Sequence, residues 1–141
     1  MATATATEPL FGDVISSYSR AEALADGVLV DLAAGELGEL ARDAGFRIPI
    51  ACTARVFAEC IALTPAAKRA GNDVKGRAWD VLYLLAHAIK RARGGSGGST
   101  LTFTVSVVRD RVRPTPTRLV AKCGPGDAGE PVLTVLFPGE D

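Results

Sequence analysis

His87 is the only histidine in a chain of 141 residues and the one side chain whose ordinary pKa suits proton transfer near neutrality. A lone imidazole excludes a histidine-rich metal cage, and its neighbours Ala86 and Ala88 offer it no orienting partner. A structural or partly exposed histidine is therefore expected. Cys52, Cys60 and Cys123 bring thiol chemistry, but seven and sixty-two residues separate them, which is not metal-ligand spacing. Their default role is that of small buried hydrophobes, and Cys123, at a strand end before a glycine turn, is the one to test as a reactive thiol. Gly124, Pro125, Gly126 and Asp127 have glycines spaced for close backbone approach to an anion. No helix start or lysine follows them, so a hairpin turn is the simpler reading. No spacing gathers Asp13, Asp26, Asp31 and Asp127 into a carboxylate cluster. Nucleophile-elbow, P-loop and dinucleotide-binding glycine patterns do not occur. No catalytic residue, metal or cofactor is expected, and a small enzyme built on His87 or Cys123 is the least supported reading.

What remains is contact chemistry. Arg109, Arg111, Arg113 and Arg118 form a basic turn, while Asp127, Glu130, Glu140 and Asp141 form an acidic end. Either set suits partner binding, since a basic patch grips an acidic partner and an acidic patch imitates phosphate. Aromatic residues are missing from the basic turn, which disfavours single-strand binding. The formal net charge of zero predicts no general attraction to nucleic acid or anionic membrane. Its distribution is uneven: residues 1–50 carry eight acids and three bases, residues 51–122 thirteen bases and four acids, and residues 123–141 four acids and no base. Ordinary surfaces intersperse the two signs, so the blocks are expected to neutralise one another in the fold. Otherwise the middle block shows a basic face to an acidic protein or a nucleic acid.

The elements that must position these groups are organised around residues 72–93. Val74, Ala78, Val81, Leu82, Leu85, Ala86 and Ile89 recur at steps of three and four, one face of a helix. Trp79, Tyr83 and Leu84 widen that face, which predicts a central helix wrapped by other elements, with Trp79 and Tyr83 in the core. Asn72 and Asp73 are cap candidates, and Lys90, Arg91 and Arg93 before Gly94 suit the helix dipole.

Upstream, residues 1–10 read as a flexible Ala/Thr tail, followed by a cluster of Phe11, Val14, Ile15 and Tyr18 that could anchor it. Ser19 and Glu22 have capping-box spacing for a helix over 20–25, closed by Gly27. Val28, Leu29 and Val30 suggest a short buried strand or extended segment, and Leu37, Leu40, Ala41 and Ala44 a second helix ended by Gly45. Phe46, Ile48 and Ile50 read as extended chain that Pro49 keeps at an edge. Thr53 can cap a third helix over 54–63; residues 66–71 read as a connection. After the flexible glycines of 94–98, alternation over 101–107 predicts a strand with one wet face, and 118–123 and 132–137 return beside it. The expectation is a single α+β domain over residues 11–141, in which a central buried helix and shorter N-terminal helices pack on a C-terminal three-stranded antiparallel β-meander. Neither a signal peptide nor an apolar run approaching ~20 residues is present, so no membrane is expected. The odd cysteine count fits reduced thiols and a cytoplasmic location.

Three stretches together, residues 13–32 (DVISSYSRAEALADGVLVDL), 76–82 (GRAWDVL) and 122–141 (KCGPGDAGEPVLTVLFPGED), resemble an uncharacterised family of small proteins carried on bacterial plasmids, phages and integrated elements. The resemblance implies no catalytic residue. It implies an accessory role: binding and inhibiting a host defence complex, protein or ribonucleoprotein, of the anti-CRISPR or anti-restriction type. A nucleic-acid-binding accessory protein of a plasmid or phage is the alternative. A symmetric homodimer through an exposed sheet edge is compatible with either.

Overall fold

Helix α1 (Arg20–Ala25) starts where Ser19 and Glu22 exchange hydrogen bonds. The Glu22 amide donates to the Ser19 hydroxyl at 3.0 Å, and the Ser19 amide donates to the Glu22 carboxylate at 2.9 Å. The computed structural model describes residues 18–92 and 99–140. The tail over 1–10, the anchor residues Phe11, Val14 and Ile15, Asp13, Arg93, the glycines of 94–98 and Asp141 lie outside the described residues. Strand β1 (Leu29–Asp31) and helix α2 (Gly35–Asp43) follow. Strand β2 (Ile50–Thr53) ends on Thr53, whose hydroxyl caps the short helix α3 (Ala54–Val56). That helix runs directly into a π-helical turn (Phe57–Ile61).

Residues 65–69 correct the expected connection: Pro65–Arg69 is a helix, α4, because Thr64 caps it and proline sits at its first position, where its missing N–H costs nothing. The long helix α5 (Val74–Ala92) begins under Asp73, whose carboxylate accepts from the Gly76 amide at 2.8 Å. Strands β3 (Thr100–Val107), β4 (Thr115–Pro125) and β5 (Pro131–Leu136) complete the chain.

The fold is α+β, but the expected three-stranded meander is corrected to a five-stranded mixed sheet of order β1-β2-β5-β4-β3. The three C-terminal strands are antiparallel neighbours, and β2 joins them by pairing parallel to β5, with Ile50 opposite Leu133 and Cys52 opposite Val135. Pro49 therefore does not hold its segment at an edge. It precedes an interior strand, and its carbonyl accepts from Leu133 at 2.9 Å. β1 is the edge instead; Val28 just before it is 52% exposed and Asp31 is exposed, so the expected buried strand is a half-covered one.

One core fills the space between the inward sheet face (Ile50, Cys52, Val105, Leu119, Val135) and the helices (Val56, Ile61, Val81, Leu82, Leu85). The opposite face of β2 and β5 is also covered, as Ala51, Val132 and Leu136 are buried. Arg20 of α1 reaches this side, donating to the Thr134 hydroxyl and the Leu133 carbonyl, each at 2.8 Å.

Arg77 joins the layers from inside and is 5% exposed. Its guanidinium donates to the carbonyls of Glu59 (2.9 Å), Ile61 (3.2 Å) and Val108 (2.8 Å), and to the side-chain oxygen of Asn72 (3.2 Å). Burial lowers its pKa, against smaller opposing effects from Cys60 and Asp80, but a guanidinium stays protonated. Replacing Arg77 by Met leaves three buried carbonyls without donors, so unfolding in urea should show a loss of about 3 kcal/mol or more. Arg77→Lys, which lacks the fork, should fall between the two.

Cys52 and Cys60 are buried, and burial pushes their thiols up to about 12 and about 11. In the unfolded chain a thiol ionises near pH ~8.5. The unfolded state thus binds fewer protons above that pH, and the stability these thiols contribute is complete below it and lost as pH rises towards 11–12. Unfolding free energies measured between pH 7 and 10 should fall more steeply in the wild type than in the Cys52→Ala/Cys60→Ala variant, by up to ~1.4 kcal/mol per pH unit for each thiol. A thiol-reactive dye should label exposed Cys123 in the native protein and the other two cysteines only after unfolding.

Candidate interaction surface

Helix α5 buries one side only. Ala78, Val81, Leu82 and Leu85 enter the core, while Asp80, Tyr83 and His87 are exposed and Trp79 is half-buried. Trp79 and Tyr83 are thus not core residues, and the helix is not wrapped all round: it lies on the sheet and turns an aromatic side outward. Steps of four residues set these rings one above another. Trp79 and Tyr83 are 5.7 Å apart between centroids, tilted by 33°, and Tyr83 stacks on His87 at 6.4 Å and 10°. Tyr83 is 52% exposed. The next step of four reaches Arg91, an exposed guanidinium with no ion pair among the described residues.

The lower end of this stripe opens into a groove of about 510 Å³ between α5 and β3. Leu84, Ala88 and Phe103 give it apolar walls. His87 and Arg91 line it from the helix, and Thr102 and Thr104 from the strand. β3 is the last strand of the sheet, so beside the groove its outer backbone groups have no strand partner among the described residues. The arrangement combines a rigid aromatic ridge, a cation and a strand edge on one side of the molecule. It offers contact area and hydrogen bonding.

Residues 10–141 match the model of a family of unknown function, DUF6573. The chain belongs to that family. This agrees with its resemblance to an uncharacterised family. No curated protein matches the chain, and no solved structure matches it.

In this DUF6573 chain the seven described members of the eight charged residues singled out in the sequence do not gather into one patch. Arg109 is turned inward. It bonds to the Glu59 carboxylate, its carbonyl accepts from Thr64 at 3.2 Å, and its guanidinium lies 5.3 Å from the Phe137 ring centroid. Arg55 completes this cluster, bonded to Glu59 at 2.8 Å and 4.4 Å from the same centroid. Burial opposes ionisation of Glu59, but its two arginine hydrogen bonds prevail and its pKa lies below the ordinary value. Arg111 and Arg113 are exposed on the β3–β4 loop, and Arg118 is exposed on β4 opposite Thr104.

Asp127, Glu130 and Glu140 of the acidic set are used inside the fold. Asp127 accepts from the Arg20 and Ala21 amides at 2.8 and 3.0 Å, and these bonds hold its carboxyl below the usual range. The glycine-rich loop is thus a β4–β5 turn that supplies an anion to α1. Glu130 folds back to accept from the Ala128 amide at 3.0 Å. Glu140 accepts from the Thr53 hydroxyl and the Phe137 amide, each at 2.8 Å. Asp141 lies outside the described residues.

Direct cancellation between the charge blocks is sparse: among the described residues one ion pair, Lys75–Glu36 at 3.8 Å, joins two of them. No three His, Cys, Asp or Glu side chains among the described residues are grouped to hold a metal. No described helix is long and apolar enough to cross a membrane.

Sequence reasoning missed the outward stripe because Trp79 and Tyr83 fit an apolar period. The available signal was their spacing with His87: three rings at steps of four, offset from the small-residue face of Ala78, Val81 and Leu82. Arg109→Ala should lower stability by about 1 kcal/mol in urea unfolding, because Glu59 and Phe137 lose a partner. Arg111→Ala and Arg113→Ala should stay within about 0.5 kcal/mol of the wild type.

Proposed function

We propose that this protein is a non-catalytic binding protein of a bacterial mobile element, which inhibits a host defence complex by covering part of its surface through α5. The solvent-facing stack of Trp79, Tyr83 and His87 carries this reading. Large rings ordered on a helix give contact area at low conformational cost, and such residues dominate the energetics of many interfaces. The defence-complex target and the mobile-element setting rest on the sequence resemblance; restriction and CRISPR effector complexes are the partners it suggests. Arg111 and Arg113, exposed on the β3–β4 loop, add positive charge that would favour encounter with an acidic surface.

Nucleic-acid binding is a second reading, favoured by the exposed ring of Tyr83, a stacking surface for a base, with the Arg91 guanidinium two helical turns further along α5. A salt series separates the two, since phosphate contacts weaken steeply with added salt.

Pull-down of purified restriction and CRISPR effector complexes, comparing wild type with Tyr83→Ala, is the direct experiment. Loss of a half-exposed ring should change the stability of the free protein by no more than about 1 kcal/mol. Capture of the partner should weaken at least about tenfold, the effect of truncating an interface anchor. Undiminished capture by Tyr83→Ala would exclude α5 as the contact.

A further inference from the structure

Thr100–Val107 forms the last strand of the sheet, eight residues long and without one charged side chain. Exposed edges in proteins are commonly blunted by lysine, proline, a bulge or a short strand. β3 has none of the first two and is long. The groove against α5 runs beside this edge, with apolar walls from Leu84, Ala88 and Phe103 and a guanidinium from Arg91. A strand edge on one side of a groove and a helix on the other is a geometry suited to strand addition, in which backbone hydrogen bonds give affinity and pockets for alternate side chains give selectivity.

We infer that the α5–β3 groove takes an extended, acidic segment of the partner protein as a sixth strand paired to β3, with a carboxylate of that segment at Arg91. This rests on the binding reading above and names the chemistry of what is bound. Charge complementarity sets the sign. Among the described residues Arg91 has no ion pair, and the stripe and groove present no carboxylate beyond Asp80, three residues before Tyr83. Alternation sets the pattern: residues of the incoming strand facing Phe103 and Leu84 are apolar, and those between them are polar.

The same charge argues against a second copy of this chain as the occupant. The groove meets β3 at Thr102, Phe103 and Thr104, the middle of the strand. A two-fold pairing of β3 with β3 centred there brings the two Arg91 side chains towards the axis, where like charges repel.

Selection of a phage-displayed random octapeptide library on the intact protein tests this, followed by fluorescence anisotropy with the selected octapeptides. Enrichment of aspartate and glutamate among alternating apolar residues is expected. Binding should weaken at least tenfold in Arg91→Glu, and measurably in the milder Arg91→Gln. Methylating the peptide amides in one alternating register should abolish binding, and in the other register should be tolerated. No enrichment, selection of basic peptides, or indifference to amide methylation overturns the proposal. So does a dimer at micromolar concentration whose β3 amides are protected from hydrogen exchange. Capture of a defence complex that is lost in Tyr83→Ala but intact in Arg91→Glu defeats strand addition alone; capture intact in both defeats the wider binding reading as well.

Discussion

A guanidinium without water around it must find oxygen atoms, and Arg77 finds three of them on two separate pieces of backbone. The π-helical turn ends at Ile61, so the carbonyls of Glu59 and Ile61 meet no further helical amides. Arg77 supplies the missing donors from α5 and extends to Val108, just past the end of β3. One side chain thereby joins the π turn, the long helix and the sheet. The planar, forked donor set makes the geometry specific, since an ammonium in the same place could not serve these directions together.

Fixing α5 against β3 in this way also fixes what the helix shows to solvent. With Ala78, Val81, Leu82 and Leu85 turned inward, Tyr83 and His87 must turn away, and Trp79 sits at the margin. The exposed aromatic ridge is therefore a consequence of the core. Its rings sit on the longest described element of the fold, which keeps their spacing rigid. The loops carry less of the surface than their charge suggests. Asp127 and Glu140 hold backbone amides, and Arg109 is sandwiched between Glu59 and Phe137.

Legibility in the sequence followed the reach of each interaction. The capping box of Ser19 and Glu22 was readable because both partners lie within one helical turn, and β3 was readable because its alternation is local. Helix α4 was hidden by Thr64 and Pro65, a pair that ends one helix as readily as it starts another. β2 was harder still. Ile50–Thr53 is four residues long and buried on both faces where it meets β5, so no alternation marks it, and its parallel partner is some eighty positions away.

The sequence by itself determined the class of elements, their rough order, the existence of α5 as a long apolar helix, and the membership of a family of unknown function. It determined too which charges exist. Tertiary structure alone decided which of them remain available: Asp127, Glu130, Glu140 and Arg109 are drawn into internal bonds, while the aromatic ridge and the edge of β3 are left open by the described residues. The reason is that an apolar or charged residue carries no local mark of its partner. Periodicity says that a helix has a greasy side, but the position of the sheet, set here through carbonyls far away in sequence, says where that side ends.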